Sequence, residues 1–304
     1  NHGFLSGVQA ADLMLWLGPV ANGVAAEWCS HRAFGVERPF SWFSGLIYGF
    51  SGIASVAMLE GHVYYLLNPW LPLLLGLLWK GGGWKEGLVA GLCWSLCLFT
   101  SAYLGICGAL LVGALAWRAR RLLLGLFAVS LPAGLYYVWL FLMGGGWKDN
   151  APTTGAFQTG GSSLAGFLYG PESVDLGGHS LVTPLCFFGF WLWIQSFSKK
   201  ELRGLWMFAA LLLVASFGAA LRVMPGEDSG LFWGGGGLLP ALALFRFPMR
   251  LMWLFTLLSG VMASSMLKQW RWGTSWMAVA LVDVALSSGM PWRQGLAKIG
   301  RAHV

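Results

Sequence analysis

Arg246 and Arg250 flank Pro248 in the segment Leu244-Phe245-Arg246-Phe247-Pro248-Met249-Arg250-Leu251, directly ahead of an apolar run. Proline suits the first turn of a helix, where its missing N–H costs no hydrogen bond. The spacing therefore predicts a helix over 251–267. A helix start has free N–H groups and a partial positive charge, so it favours anions. Arginine adds a planar fork that can grip a phosphate with two parallel bonds. Arg246 and Arg250 are thus candidate phosphate ligands; the plainer reading has both side chains snorkelling to lipid headgroups.

A second set of residues is Phe50-Ser51-Gly52, then Glu60-Gly61-His62, then Trp70-Leu71-Pro72. Glu60 and His62 fall in a short turn between two apolar runs. A carboxylate and an imidazole at one level could bind a hydroxyl-rich acceptor or handle a proton, and a hydrated polar turn is the competing reading. Asp12 and Asp283 lie inside apolar runs, where an ionised carboxylate is costly unless paired or facing water. Asp12, about one turn in, could line a cavity or make a helix-to-helix hydrogen bond. Asp283 is far along the chain from every other candidate and is given no role. His179 closes a polar stretch with Lys148, Asp149, Glu172 and Asp175.

The elements that position these residues follow from composition. Only 10% of residues are charged, 57% are hydrophobic, and the mean hydropathy is +0.66. Long uncharged runs at that composition predict an all-α, polytopic transmembrane helical bundle. Ten candidate spans are expected: 4–26, 42–59, 63–79, 87–101, 103–117, 122–143, 180–197, 204–222, 251–267 and 273–289. Assigning every second loop to the cytoplasm puts 12 of the 19 basic residues there. They are Arg32, Arg38, Lys80, Lys85, Arg118, Arg120, Arg121, Lys199, Lys200, Arg203, Lys268 and Arg271. The opposite loops hold five, Lys148, Arg222, Arg246, Arg250 and Arg293, a split that follows the positive-inside rule. The alternation requires a break near Ser101–Ala102, so that 87–117 is two helices; a single helix there would reverse every later loop.

A single membrane domain, 1–298, is therefore expected, with extracytoplasmic loops at 144–179 and 223–248. Long loops between spans usually have a function, which directs attention to that face. The pairs Gly45/Gly49 and Gly87/Gly91 permit close helix contact. Trp42, Trp70, Trp79, Trp84, Trp117, Trp147, Trp191, Trp193, Trp270 and Trp272 sit near span ends, as an interfacial belt would. The net charge of +7 is scattered among loops, without the aromatic-laced basic cluster that nucleic-acid binding needs. Five cysteines show neither a disulfide framework nor metal-ligand spacing; Cys93 and Cys97 share a helix face as packing residues. Asn1 is read as a start just after an extracytoplasmic loop. Residues 299–304 are read as translated sequencing adapter, with natural residues expected on both sides of this fragment.

In this order and spacing, Phe50–Gly52, His62, Trp70–Pro72 and the run Leu239-Pro240-Ala241-Leu242-Ala243-Leu244-Phe245-Arg246-Phe247-Pro248-Met249-Arg250 resemble the YfhO-type bacterial membrane proteins of the GT-C glycosyltransferase class. His179–Phe190 is similar to that family's span after its long loop, without the usual Tyr-x-Gly lead. The likeness covers about Ala21 to Leu267. It implies a multi-pass protein of the bacterial cytoplasmic membrane. It also implies sugar transfer on the extracytoplasmic face, from a polyprenyl-phosphate-linked donor to a cell-envelope glycan or protein, and admits a divalent metal. The family's acidic catalytic residue lies in the first extracytoplasmic loop, which this fragment is expected to lack, so no residue here is given that role. Arg246 and Arg250 would then hold the donor phosphate, with Glu60, His62, Asp12 and His179 as candidate contacts to donor or acceptor. Phe167, Tyr169 and Trp233 could stack on sugar rings or anchor at the interface. A transporter or flippase of lipid-linked glycans is the main alternative. It would favour broken helices and inverted repeats, neither of which the sequence displays apart from the short pair 87–101 and 103–117. A non-catalytic envelope scaffold is the third.

Overall fold

The computed structural model describes residues 7–50, 66–143, 184–216, 220–221, 231–232, 251–269, 273 and 275. Nine α-helices make up nearly all the regular structure among them. They are α1 (Gly7–Trp28), α2 (Ser41–Gly49), α3 (Trp70–Lys80), α4 (Trp84–Thr100) and α5 (Ala102–Leu115), followed by α6 (Leu123–Met143), α7 (Pro184–Ser196), α8 (Arg203–Ser216) and α9 (Met252–Leu267). A π-helical turn, Cys29–Ala33, prolongs α1. A two-residue antiparallel pairing joins β1 (Ala220–Leu221) to β2 (Leu231–Phe232). The all-α reading therefore holds, with that small addition.

The break near Ser101 is present. Ser101 is extended (φ −166°, ψ 142°), and its hydroxyl accepts the Tyr103 N–H at 3.3 Å, capping α5. The chain then doubles back: the Trp94 indole donates to the Gly105 carbonyl at 2.8 Å, and Gly108 faces the Trp94 ring. With α5 returning, α6 runs parallel to α4. Gly87 lies against Leu122, Gly91 against Leu126, and Phe99 against Tyr136 and Tyr137.

These approaches are backbone to backbone. A Cβ on Gly91 would stand 2.4 Å from the Leu126 carbonyl oxygen, and one on Gly125 would stand 2.0 Å from that of Trp84. The Gly45/Gly49 pair does the same for α1 and α2, facing Gly23 and Pro19. Small residues that bring helix backbones together are a common device where lipid removes the hydrophobic drive for helices to associate.

The helix ends sort by charge. The C-termini of α1, α3, α5, α7 and α9 gather with the N-termini of α2, α4, α6 and α8. Arg38 Nε reaches Glu27 at 3.1 Å, Lys268 pairs with Glu37, and Lys199 Nζ donates to the Ser265 carbonyl at 2.6 Å. Arg118 Nε donates to the Trp79 carbonyl at 2.7 Å, and Phe34 stacks on Trp79 with centroids 4.5 Å apart. Every described lysine and arginine is at this end: Arg32, Arg38, Lys80, Lys85, Arg118, Arg120, Arg121, Lys199, Lys200, Arg203 and Lys268.

α9 is the central element, buried along most of its length from Trp253 to Leu267, and it packs on α2, α7 and α8. α6 is the opposite case: only 17% of its Leu123–Leu140 window is buried. It is the one helix among the described residues long and apolar enough to cross a membrane; α3, α5 and α9 are apolar but shorter. The expected span 273–289 falls almost wholly outside the described residues, so the structure does not establish a ten-span count.

Three expectations need correction. Within the expected span 63–79, residues 67–69 are not helical and α3 starts at Trp70, because Asn68-Pro69 resists helix and the backbone there is held by side chains. Trp79 and Trp193 are not belt residues: they are 9% and 3% exposed. Trp79 is sandwiched by Phe34 and the Arg118 guanidinium, and Trp193 by Trp206 and Phe255. Trp42, Trp84, Trp117 and Trp191 are exposed as a belt requires.

Forcing a side chain between α4 and α6 should separate them. Gly91→Leu or Gly125→Val should destabilise the fold by about 1–3 kcal/mol. Gly113→Leu, at a position with no atom within 4 Å of a new Cβ, should be near neutral. Thermal melts of the detergent-purified chain check this, and equal melting of all three variants would remove the packing argument.

Candidate functional site

The predicted site residues are only partly visible. Arg246, Arg250, Glu60, His62 and His179 lie outside the described residues. Asp12 falls on α1, toward the end away from the basic face. The helix expected after Arg250 is present as α9, beginning at Met252. Its C-terminus is on the basic face, so it starts at the opposite end.

The structure does assemble a polar cluster that the sequence reading missed. Ahead of α3 the chain is not helical at residues 67–69, yet Leu66 is 1% and Asn68 0% exposed. Buried backbone must still be hydrogen-bonded. Asn22 of α1 supplies both partners: its Nδ2 donates to the Leu66 carbonyl at 2.7 Å, and its Oδ1 accepts the Asn68 N–H at 2.7 Å. Tyr48 of α2 completes the cluster. Its hydroxyl donates to the Asn68 carbonyl at 3.2 Å and accepts from Asn68 Nδ2 at 3.0 Å. The Cys97 thiol of α4 lies 3.8 Å from Asn68 Oδ1. Three helices thus converge on one residue, Asn68.

This cluster places the start of α3 within the bundle. α3 has 11 residues and spans roughly 16 Å at helical rise. Its C-terminus is at the basic end, and its start lies level with Gly18 and Asn22 of α1. Pro69 precedes it, and Pro72 in its first turn removes one N–H that would otherwise need a partner.

The described cluster acts as a brace: the Asn22 amide is used at both ends, and the Tyr48 hydroxyl both donates and accepts. Among the described residues it holds no carboxylate or imidazole to move a proton. A second internal polar tie, Glu27, is 4% exposed at the basic end and is held by Arg38 and by the Ser41 hydroxyl at 2.9 Å. Cys29, Cys93, Cys97 and Cys107 are buried free thiols, which fits packing.

The signal for the brace was two lone asparagines in apolar stretches, Asn22 and Asn68. Nothing local says that residues 46 positions apart will meet. Among the described residues, no group of three or more His, Cys, Asp or Glu side chains could hold a metal ion. Comparisons with family models, curated proteins and solved structures return no match for this chain.

Asn22→Leu should strand one buried carbonyl and one buried N–H, costing about 1–3 kcal/mol for each. Tyr48→Phe strands the Asn68 carbonyl and one Nδ2 hydrogen and should cost a similar amount. The check is the melting temperature in detergent, and an Asn22→Leu protein as stable as the wild type would show that the brace is dispensable.

Proposed function

We propose that this chain is a multi-pass protein of the bacterial cytoplasmic membrane, of the YfhO type within the GT-C class. In this reading it transfers a sugar from a polyprenyl-phosphate-linked donor to a cell-envelope acceptor on the extracytoplasmic face. The observation that carries the reading is the gathering of every described lysine and arginine at one end of an up-and-down bundle. Under the positive-inside rule that end is cytoplasmic. The outward, apolar surface of α6 suits a hydrocarbon surround. The start of α9 then belongs to the other side, and Arg246 and Arg250 directly precede it in the sequence.

A polyprenyl chain stays in the bilayer, so its phosphate sits at the interface, level with helix ends. There Arg246 and Arg250 would bind the phosphate and stabilise the charge it gains as the glycosidic bond breaks. A carboxylate base would take the acceptor hydroxyl's proton; no residue of this chain is assigned that role. Glu60, His62, Asp12 and His179 are proposed contacts to donor or acceptor. A divalent metal would supply further charge stabilisation, and the described residues offer no ligand set for one.

One observation favours a second reading, a transporter or flippase of lipid-linked glycans. α3 is short and begins on buried non-helical backbone, as half-helices in transporters do. Its polar groups are satisfied by Asn22 and Tyr48 rather than turned toward a ligand, so the transferase reading is preferred.

Membranes carrying the full-length protein, a radiolabelled polyprenyl-phosphate-sugar and an envelope acceptor test the proposal. Arg246→Ala and Arg250→Ala should each lower turnover by about 100-fold or more, with membrane insertion unchanged. Full turnover in both variants would refute the phosphate site.

A further inference from the structure

The corner where α4 and α6 start has a composition that neither the brace nor the proposed transfer site uses. Lys80, Lys85, Arg118, Arg120 and Arg121 come together there with one carboxylate, Glu86. Glu86 is committed to the α4 start, where its Oε2 accepts the Gly83 N–H at 2.9 Å. Bonds from its own N–H and from that of Gly83 hold its carboxyl below the usual range, so it stays ionised at neutral pH. Arg118 is also committed, lying over the Trp79 ring at 4.3 Å and bonded to the Trp79 carbonyl. Lys85, Arg120 and Arg121 are exposed and tied by no hydrogen bond or close ion pair to another described side chain, although the Lys85 charge helps to lower the Glu86 carboxyl.

Below these cations the surface is apolar. Trp84 is 56%, Trp117 72% and Leu124 78% exposed. On α4, Val89, Leu92 and Phe99 continue outward below Lys85 at helical spacing; on α6, Leu124, Leu131 and Leu135 do the same below Arg121. Glycine contacts press the two parallel helices together, so the two stripes form one continuous face. From Leu124 to Met143 it runs about 29 Å, close to the hydrocarbon thickness of a bilayer. Tyr136 and Trp139, stacked at 5.8 Å, lie toward its far end.

We infer that this face binds an anionic phospholipid, with its headgroup phosphate on Lys85, Arg120 and Arg121 and its acyl chains along the outer stripes of α4 and α6. Charge complementarity selects the occupant. Three uncommitted cations sit above a membrane-length apolar face, with exposed tryptophans at the boundary level where headgroups lie. A protein partner would need complementary acid and would leave the belt tryptophans without a purpose. The inference rests on the membrane part of the proposal above and not on its transferase part.

The test is the affinity of the detergent-purified full chain for short-chain phosphatidylglycerol and phosphatidylcholine, followed by native mass spectrometry. The wild type should prefer phosphatidylglycerol. K85Q/R120Q/R121Q should lose roughly fivefold per cation, about 100-fold in all, while R32Q/K200Q, at the same end but another corner, should keep the preference. Equal binding of the two lipids by the wild type overturns the inference without any variant having to fold. So does inorganic phosphate competing as well as phosphatidylglycerol, or an equal loss in R32Q/K200Q. A chain that alkaline carbonate strips from membranes sinks the membrane reading itself; one that stays inserted without lipid preference sinks only this site.

Discussion

A chain that leaves the helix inside an apolar bundle must find partners for its backbone among side chains, because no water and no adjacent turn provides them. In this protein that burden falls on Asn22, whose amide holds the Leu66 carbonyl and the Asn68 N–H together. The consequences extend along α3. With its start fixed beside the middle of α1, α3 runs parallel to α1. Gly76 lies against the Trp28 ring, and Trp79 reaches Phe34 and Arg118. The non-helical start thus determines how the basic end is assembled.

Two other kinds of contact divide the remaining work. Within the bundle, glycines let backbones approach to distances that no Cβ would allow, as at Gly91 and Gly125. At the basic end, several charges are tied to one another or to a carbonyl: Lys268 to Glu37, Arg38 to Glu27, Lys199 to the Ser265 carbonyl of α9. Partial burial lowers the Lys199 ammonium's pKa, with Glu201 opposing, but that helix-end carbonyl is a favourable place for a cation. The exposed pairs are individually weak. They lie together with every other described lysine and arginine at one end of the bundle.

Much of this arrangement could be read from residue order. Uncharged runs set helix positions well: α6 and α9 begin and end within a residue of their expected ranges. The break at Ser101 followed from requiring the basic loops to share a side, a global constraint that local pattern did not supply. Local pattern failed where tertiary contacts decide. Residues 63–69 are apolar enough for a helix, but Asn68-Pro69 and the distant Asn22 hold residues 67–69 out of it. Trp79 and Trp193 looked interfacial because they sit near helix ends, yet ring partners from other helices bury them. Arg246, Arg250, Glu60, His62 and His179 were legible from residue chemistry beside apolar runs and from motif order, and they lie outside the described residues.

Orientation is the premise on which the proposed chemistry rests, because a lipid-linked donor and an envelope acceptor meet only on the outer face. Single-cysteine variants labelled with a membrane-impermeant maleimide measure it directly, and the four described native thiols are buried. In intact cells Arg246→Cys should be labelled, while Lys200→Cys should react only after lysis. Labelling of Lys200→Cys from outside, with Arg246→Cys protected until lysis, would contradict the account by putting the arginine pair on the cytoplasmic side.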